Sequence, residues 1–313
     1  MRKTVSVTFL AYAFLAPALI LMAVFTFYPV LYGSYLGFTD YSQKNLSGEI
    51  SANFVGFDNF KTVFSDELFR IGIWNSLKYL LVVPVLQFAS LGVAALVNRK
   101  LPAITFFRAA YYVPVITSIS LASVMWDWVY SKDGVLNWGL KFIVGILNAV
   151  ARVFGGKISF ETFGWLNNPD TAIWAIMLVT FWRGFGYYMV LYLGGLQAIP
   201  LELEEAARLD GATPSQTFWH VTVPLMRPTI LLCSLLSTLA AIRVLEEIIV
   251  FTNGGPLNST YTSLMYVYSK AFGSKFAFGT ASAAGLLIAI VGFFLSYLNF
   301  KLTQEKPDKG GKA

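Results

Sequence analysis

Long apolar runs alternate with short polar breaks along this chain. Six runs reach the roughly 20 residues that a helix needs to cross a bilayer: 8–37, 72–98, 105–131, 170–197, 228–252 and 279–301. The breaks fall at 38–71, 99–104, 132–169, 198–227 and 253–278. Pro17, Pro29, Pro84 and Pro114 lie inside runs, where neighbouring helices of a bundle satisfy the carbonyls that proline frees. The first run follows Arg2 and Lys3 and continues from Phe9 to Tyr35. That exceeds the roughly 7–15 apolar residues of a signal-peptide core, and no small-residue cleavage pattern closes it, so it predicts a first membrane helix.

Two breaks carry helical spacing of their own. In 56–71, Phe57, Phe60, Val63, Phe64, Leu68 and Ile71 share one face, with Asp58 placed as an N-cap. In 135–154, Leu136, Leu140, Phe142, Ile143, Ile146, Leu147, Val150 and Phe154 do the same. Both predict helices lying in the outer interface, with Trp74, Trp126, Trp128, Trp165 and Trp174 near helix ends as an aromatic belt.

The break at 198–227 is different, being polar yet rich in helix formers. Leu203 to Leu209 reads as a helix entered after Pro200, and Gly211 as its stop. Thr213 is placed to cap a second helix with Pro214 at its first position. Phe218, Trp219 and Val221 give that helix an apolar face, and Pro224 is expected to end it. The product is a helix–turn–helix elbow. Ala206 and Ala207 leave one face smooth for close packing, and Glu205 and Asp210 offer charges to arginines on a partner.

Composition agrees with membrane embedding. The 313 residues are 56% hydrophobic and 13% charged, against about 25% charged in an ordinary soluble domain. One cysteine, Cys233, excludes a disulfide framework or thiolate cluster. The net charge of +6 is scattered between runs, which argues against nucleic acid and leaves the basic residues as topology signals. With the N-terminus cytoplasmic, inner segments hold eleven Lys and Arg against six acids, and outer loops nine against eight. The tight break holding Arg99, Lys100 and nearby Arg108 adds weight, since the rule acts on short loops. The expected topology has both termini inside and 198–227 cytoplasmic, with a disordered tail at 305–313.

Charges inside a run cost several kcal/mol and face a bundle interior or a wet cavity. Arg243, Glu246 and Glu247 lie in the fifth run, and Arg183 and Asp127 raise the same question. One reading pairs Arg243 with Glu246 or Glu247 one turn on, merely neutralising charge. The other lines a translocation path. No phosphate-cradling loop occurs and no nucleophile–base or metal set is visible, so neither a catalytic residue nor a metal ligand is assigned. His220, the one histidine, reads as a contact residue in the elbow.

The elbow, Glu205-Ala206-Ala207 followed by Gly211 and then Val221-Thr222-Val223-Pro224, resembles the EAA loop of ABC-importer permeases. The resemblance spans nearly the whole chain. Further matching pieces are Ala16-Pro17, Tyr28-Pro29, Val55 to Phe60, Asn75-Ser76 opening the second helix, Phe107-Arg108-Ala109 and Tyr112-Val113-Pro114. Trp126-Asp127-Trp128, Gly134 to Asn137, Gly195 to Pro200 and Thr252 to Pro256 continue it. In this order they are similar to sugar-type permeases of carbohydrate importers, in the shorter multi-sugar type with six helices instead of the eight of the maltose subunit. The resemblance implies an all-α polytopic membrane protein of type I importer architecture, with a permease domain over 8–304 after a cytoplasmic start at 1–7. It implies a bacterial or archaeal inner-membrane setting and contact with lipid. The implied partners are a second, similar permease, two copies of a cytoplasmic ATPase that binds ATP and Mg, and an extracytoplasmic sugar-binding protein. The coupling residues are then Glu205, Ala206, Ala207, Asp210, Gly211, Phe218, Val221, Val223 and Pro224. The substrate path falls on Trp182, Gly184, Gly186, Tyr187, Tyr188, Arg243, Glu246 and Glu247. Aromatic rings stack on sugar faces, charged groups bond hydroxyls, and glycine admits a ligand close to backbone. An ion-coupled secondary transporter using Glu246 and Glu247 is the alternative, and an intramembrane enzyme lacks its chemistry.

Overall fold

A computed structural model describes residues 2–42, 48, 52–98, 103–273 and 276–303. Arg99, Lys100 and the tail 305–313, on which expectations above rest, lie outside them. The described residues form helices joined by turns and loops, with no strand among them beyond one isolated bridge between Thr39 and Phe54. In chain order the helices are α1 (Arg2–Met22), α2 (Tyr28–Leu36), α3 (Asp58–Ser65), α4 (Glu67–Tyr79), α5 (Val82–Val97), α6 (Ile104–Ile116), α7 (Ile119–Tyr130) and α8 (Val135–Ala151). After these come α9 (Ala172–Gln197), α10 (Leu201–Leu209), α11 (Pro214–Thr217), α12 (Val223–Leu225), α13 (Arg227–Ile242), α14 (Glu246–Phe251), α15 (Ser263–Phe272) and α16 (Phe278–Thr303). Wide π-helical turns join α1 to α2 over Ala23–Phe27 and α11 to α12 over Phe218–Thr222.

Five helical stretches among the described residues are long and apolar enough to cross a membrane, or six if the bent pair Pro214–Leu225 and Arg227–Ile242 is one span. The third run is cut. Pro114 removes a donor, Thr117 leaves the helix, and the Ser118 hydroxyl accepts from the Leu121 N–H at 3.3 Å to start α7 afresh. A side-chain oxygen near the backbone offers an alternative to helical bonding. The long apolar stretch then runs from Ile119 through Ala151, taking in the helix expected to lie in the interface. The fifth run is cut as well, at Arg243–Leu245. Before the second long stretch, Asp58 opens α3 as its first residue while Phe57 holds the cap position, and α3 stops at Ser65.

The chain divides into two compact units. One comprises Met1–Glu67 and Tyr266–Ala289. Here Phe38 packs against Phe54, Phe57 and Phe60, and Asn59 donates to the carbonyls of Gly37 (3.0 Å) and Thr39 (2.7 Å). Asp66 accepts from the Tyr266 hydroxyl and pairs with Lys270, each at 2.9 Å. The most apolar window of Phe9–Leu36 contains no buried residue.

The other unit comprises Leu68–Met265 and Ile290–Ala313. Its most extensive helix contact is α5 against α9. Leu86, Leu91, Ala94 and Val97 meet Tyr188, Met189, Tyr192, Leu193 and Leu196, with Met226 and Cys233 completing the cluster. In lipid, helices gain little from hydrophobicity against one another, so close packing and polar glue hold them. Gly186 shows the packing: a Cβ there would overlap the Tyr111 carbonyl of α6. Gln87 shows the glue, donating to Ser237 at 2.8 Å and accepting from the Tyr192 hydroxyl at 2.6 Å. Asn75 and Ser76 do not open their helix. They sit buried inside α4, where Asn75 donates to the Asn258 and Tyr261 carbonyls at 3.2 and 3.0 Å and Ser76 meets Ser263 at 2.9 Å.

Candidate functional site

Two places carry functional side chains, the elbow and the helix break. In the elbow, α10 closes with a complete Schellman motif: Gly211 N–H donates to Arg208 C=O at 3.1 Å and Ala212 N–H to Ala207 C=O at 3.0 Å. Gly211 has φ +85°, in the left-handed region that glycine enters at least cost. Thr213 then forms a capping box with Gln216, as Ser/Thr followed three residues later by Gln allows. The second helix does not stop at Pro224. It widens into the π turn, continues to Leu225, and bends by 69° before α13. Pro224 has no N–H, so it disturbs the ladder without ending it.

Glu205, Ala206, Asp210 and Gly211 are exposed, and Ala207, Phe218, Val221, Val223 and Pro224 are half-buried. Leu209 is 89% exposed and Trp219 54%, a large apolar display beside polar groups. Glu205 and Asp210 make no ion pair among the described residues. Glu204 instead ties the elbow internally, accepting from Thr222 at 3.4 Å and lying 4.0 Å from Arg208. The surface therefore presents free acids and greasy side chains on a rigid support.

At the break, α13 ends at Ile242 and the short α14 begins at Glu246. The Val244 carbonyl freed between them accepts from the Thr262 hydroxyl at 3.1 Å. Glu247 pairs with Arg183 of α9, Oε1 to Nη1 at 3.0 Å, and both side chains are less than a quarter exposed. Arg243 does not neutralise Glu246 or Glu247 one turn on. It is exposed, as is Glu246, and neither makes an ion pair among the described residues. The break turns residues 243 to 247 off a common helical ladder, so the spacing argument fails there.

Arg183 and Glu247 edge a cavity of about 230 Å³ walled by α4, α5, α6, α9, α13 and α14. Gly184, Tyr187 and Tyr188 line it too, with Tyr79, Thr180, Ser237 and Val244. Tyr79 and Thr180 hydroxyls hydrogen-bond each other, and the Tyr187 and Tyr188 rings meet edge to face at 5.1 Å. Of the other expected path residues, Trp182 packs on Trp126 with ring centroids 5.6 Å apart and Gly186 serves helix contact. Trp182, Gly186, Arg243 and Glu246 do not line the cavity. Asp127 borders a separate depression with Ser123, Trp128 and Phe251. Tyr79, Thr180 and Ser237 escaped the sequence reading because hydroxyls in an apolar run carry no periodic signal.

An all-α polytopic membrane protein with a rigid polar elbow and a charged break beside a cavity has the build of a transport permease. Residues 73–304 match the family model of the binding-protein-dependent transport system inner membrane component, and the chain belongs to that family. The chain is 32% identical over 295 residues to the multiple sugar-binding transport system permease protein MsmF of Streptococcus mutans, covering 94% of this chain and 95% of that one. It is 31% identical over 297 residues to the lactose transport system permease protein LacF of Rhizobium radiobacter, covering 94% and 93%. A chain of a bacterial alginate ABC transporter, solved in complex with its alginate pentasaccharide-bound periplasmic protein, superposes with a TM-score of 0.75 at 21% identity, covering 97% of each chain.

Proposed function

We propose that this chain is the membrane-spanning permease subunit of an ATP-driven ABC importer for a sugar or sugar-like polyol. An extracytoplasmic binding protein delivers the solute, and ATP is hydrolysed with Mg in a separate cytoplasmic subunit present twice. A second, similar permease completes the pathway. The observation that carries this reading is the elbow over 201–224, two helices joined by a Schellman turn and a capping box with Glu205 and Asp210 exposed, in a chain whose relatives are named for lactose and multiple-sugar transport. With both termini cytoplasmic, the elbow faces the ATPase. Closure of the ATPase pair pushes it as a unit, because the Schellman turn at Gly211, the Thr213 capping box and the Glu204–Thr222 bond tie its two helices together. The push reaches α9 through Gln197 to Pro200 and α13 through the bend at Met226, two of the six helices that wall the cavity.

At the cavity, hydroxyl and charged groups offer donors and acceptors to a polyol, while Tyr187 and Tyr188 offer faces for sugar rings. The complex reconstituted with its binding protein, read as sugar-stimulated ATP hydrolysis, tests the reading. Sugar should raise the rate and Glu205→Lys should abolish the rise. A rise that survives that substitution removes the elbow from the coupling path.

A further inference from the structure

Resting on the reading of this chain as a saccharide permease, we infer that the cavity beside the helix break is built for uncharged sugars, and that Glu247 sets this preference by cancelling Arg183. Arg183 and Glu247 are the only ionisable acid and base among the lining residues, and their charges sum to zero at 3.0 Å. The rest of the wall is hydroxyl or apolar: Tyr79, Thr180, Tyr187, Tyr188 and Ser237 among Gly184 and aliphatic side chains. A uronate or sugar phosphate entering this space would bring net charge into a low-dielectric setting beside a carboxylate already bonded to the one guanidinium. Burying a charge without a partner is costly, so the anion is rejected. A neutral ring meets no such penalty. The guanidinium retains N–H capacity for a hydroxyl oxygen at Nη2, since Glu247 engages Nη1 alone.

The size of the cavity agrees with a small solute unit. About 230 Å³ is available from this chain, below the roughly 300–1,000 Å³ of pockets for drug-sized ligands. The carboxylate is thus a specificity determinant that acts through its neighbour. Removing its charge while keeping its shape would release Arg183 as a fork-shaped anion receptor of the kind that binds carboxylates in two places.

Saturation-transfer NMR on the complete transporter in nanodiscs, without the binding protein that would otherwise filter solutes, tests this with glucose, maltose, glucuronate and galacturonate as probes. The wild type should give signals for the neutral pair and weak ones for the uronates. Glu247→Gln should lower the neutral-to-uronate ratio by about tenfold, the scale of a modest charge term. The double variant Arg183→Gln with Glu247→Gln should restore the neutral preference and controls for loss of the pair's structural role. Equal signals for both sugar classes in the wild type, or a ratio unmoved by Glu247→Gln, overturns the inference. If the transporter takes up a non-saccharide solute and none of these sugars, the functional reading itself fails.

Discussion

Arg183 of α9 and Glu247 of α14 meet at 3.0 Å although 64 residues separate them in the chain. The pair stitches a long continuous helix to a six-residue piece that begins after a break. Desolvation makes such a pair costly to break on one side: removing a single partner of a buried pair typically costs about 3–5 kcal/mol, while removing both can be near neutral. Glu247→Ala should therefore lower the thermal unfolding temperature of the purified complex more than Arg183→Met with Glu247→Leu does. A double variant less stable than either single one would contradict this.

Close packing of α6 on α9 depends on one missing methyl group. A Cβ at Gly186 overlaps the Tyr111 carbonyl, and backbone cannot yield as a side chain can. At Gly184 a Cβ would meet the flexible end of Leu86 at 3.2 Å. Gly186→Ala should cost at least the ~1–3 kcal/mol of overpacking, and Gly184→Ala much less. Yield and unfolding temperature of the two variants, measured side by side, check the order.

The elbow's stiffness resides in its local chemistry. Gly211→Ala would place a Cβ at φ +85°, where an L side chain costs roughly 1–2 kcal/mol. Thr213→Ala removes a cap worth about 0.5–2 kcal/mol. Both substitutions leave the membrane helices alone, so sugar-stimulated ATP hydrolysis should fall while the complex still assembles. Size-exclusion profiles alongside the ATPase rate separate weakened coupling from failed assembly.

Asn75 holds two carbonyls of the loop before α15. Asn75→Ala would remove two hydrogen bonds worth about 0.5–1.5 kcal/mol each, the Asn258 carbonyl keeping the Tyr261 N–H at 3.1 Å. Hydrogen exchange at Tyr261 to Ser263 should quicken, with little change at the elbow.

These elements differ in how far the chain announces them. The Gly211 stop and the Thr213–Pro214 start were legible because capping is settled by neighbours within four residues. The runs at 8–37, 72–98, 170–197 and 279–301 were legible as long helices because length and apolar composition are written in the chain. The break at Arg243–Leu245 was not, since no proline or glycine marks it within 229–252. Its stability comes from Thr262 and Arg183, both distant in sequence. The same holds for Asn75 and Ser76, visible as a motif but misplaced at a helix start, because their partners at 258 to 263 cannot be read from spacing. Glu247 was singled out correctly as a charge needing an explanation. Of its two readings, the one that paired it with Arg243 named the wrong helix, since the partner is Arg183 of α9.

The central claim is that ATP, acting through the elbow, drives solute through this chain. Sugar uptake into proteoliposomes holding the two permeases, the ATPase and the binding protein tests it most directly. The account predicts uptake that requires ATP and is lost in Glu205→Lys. Uptake sustained by a proton or sodium gradient without ATP would contradict it.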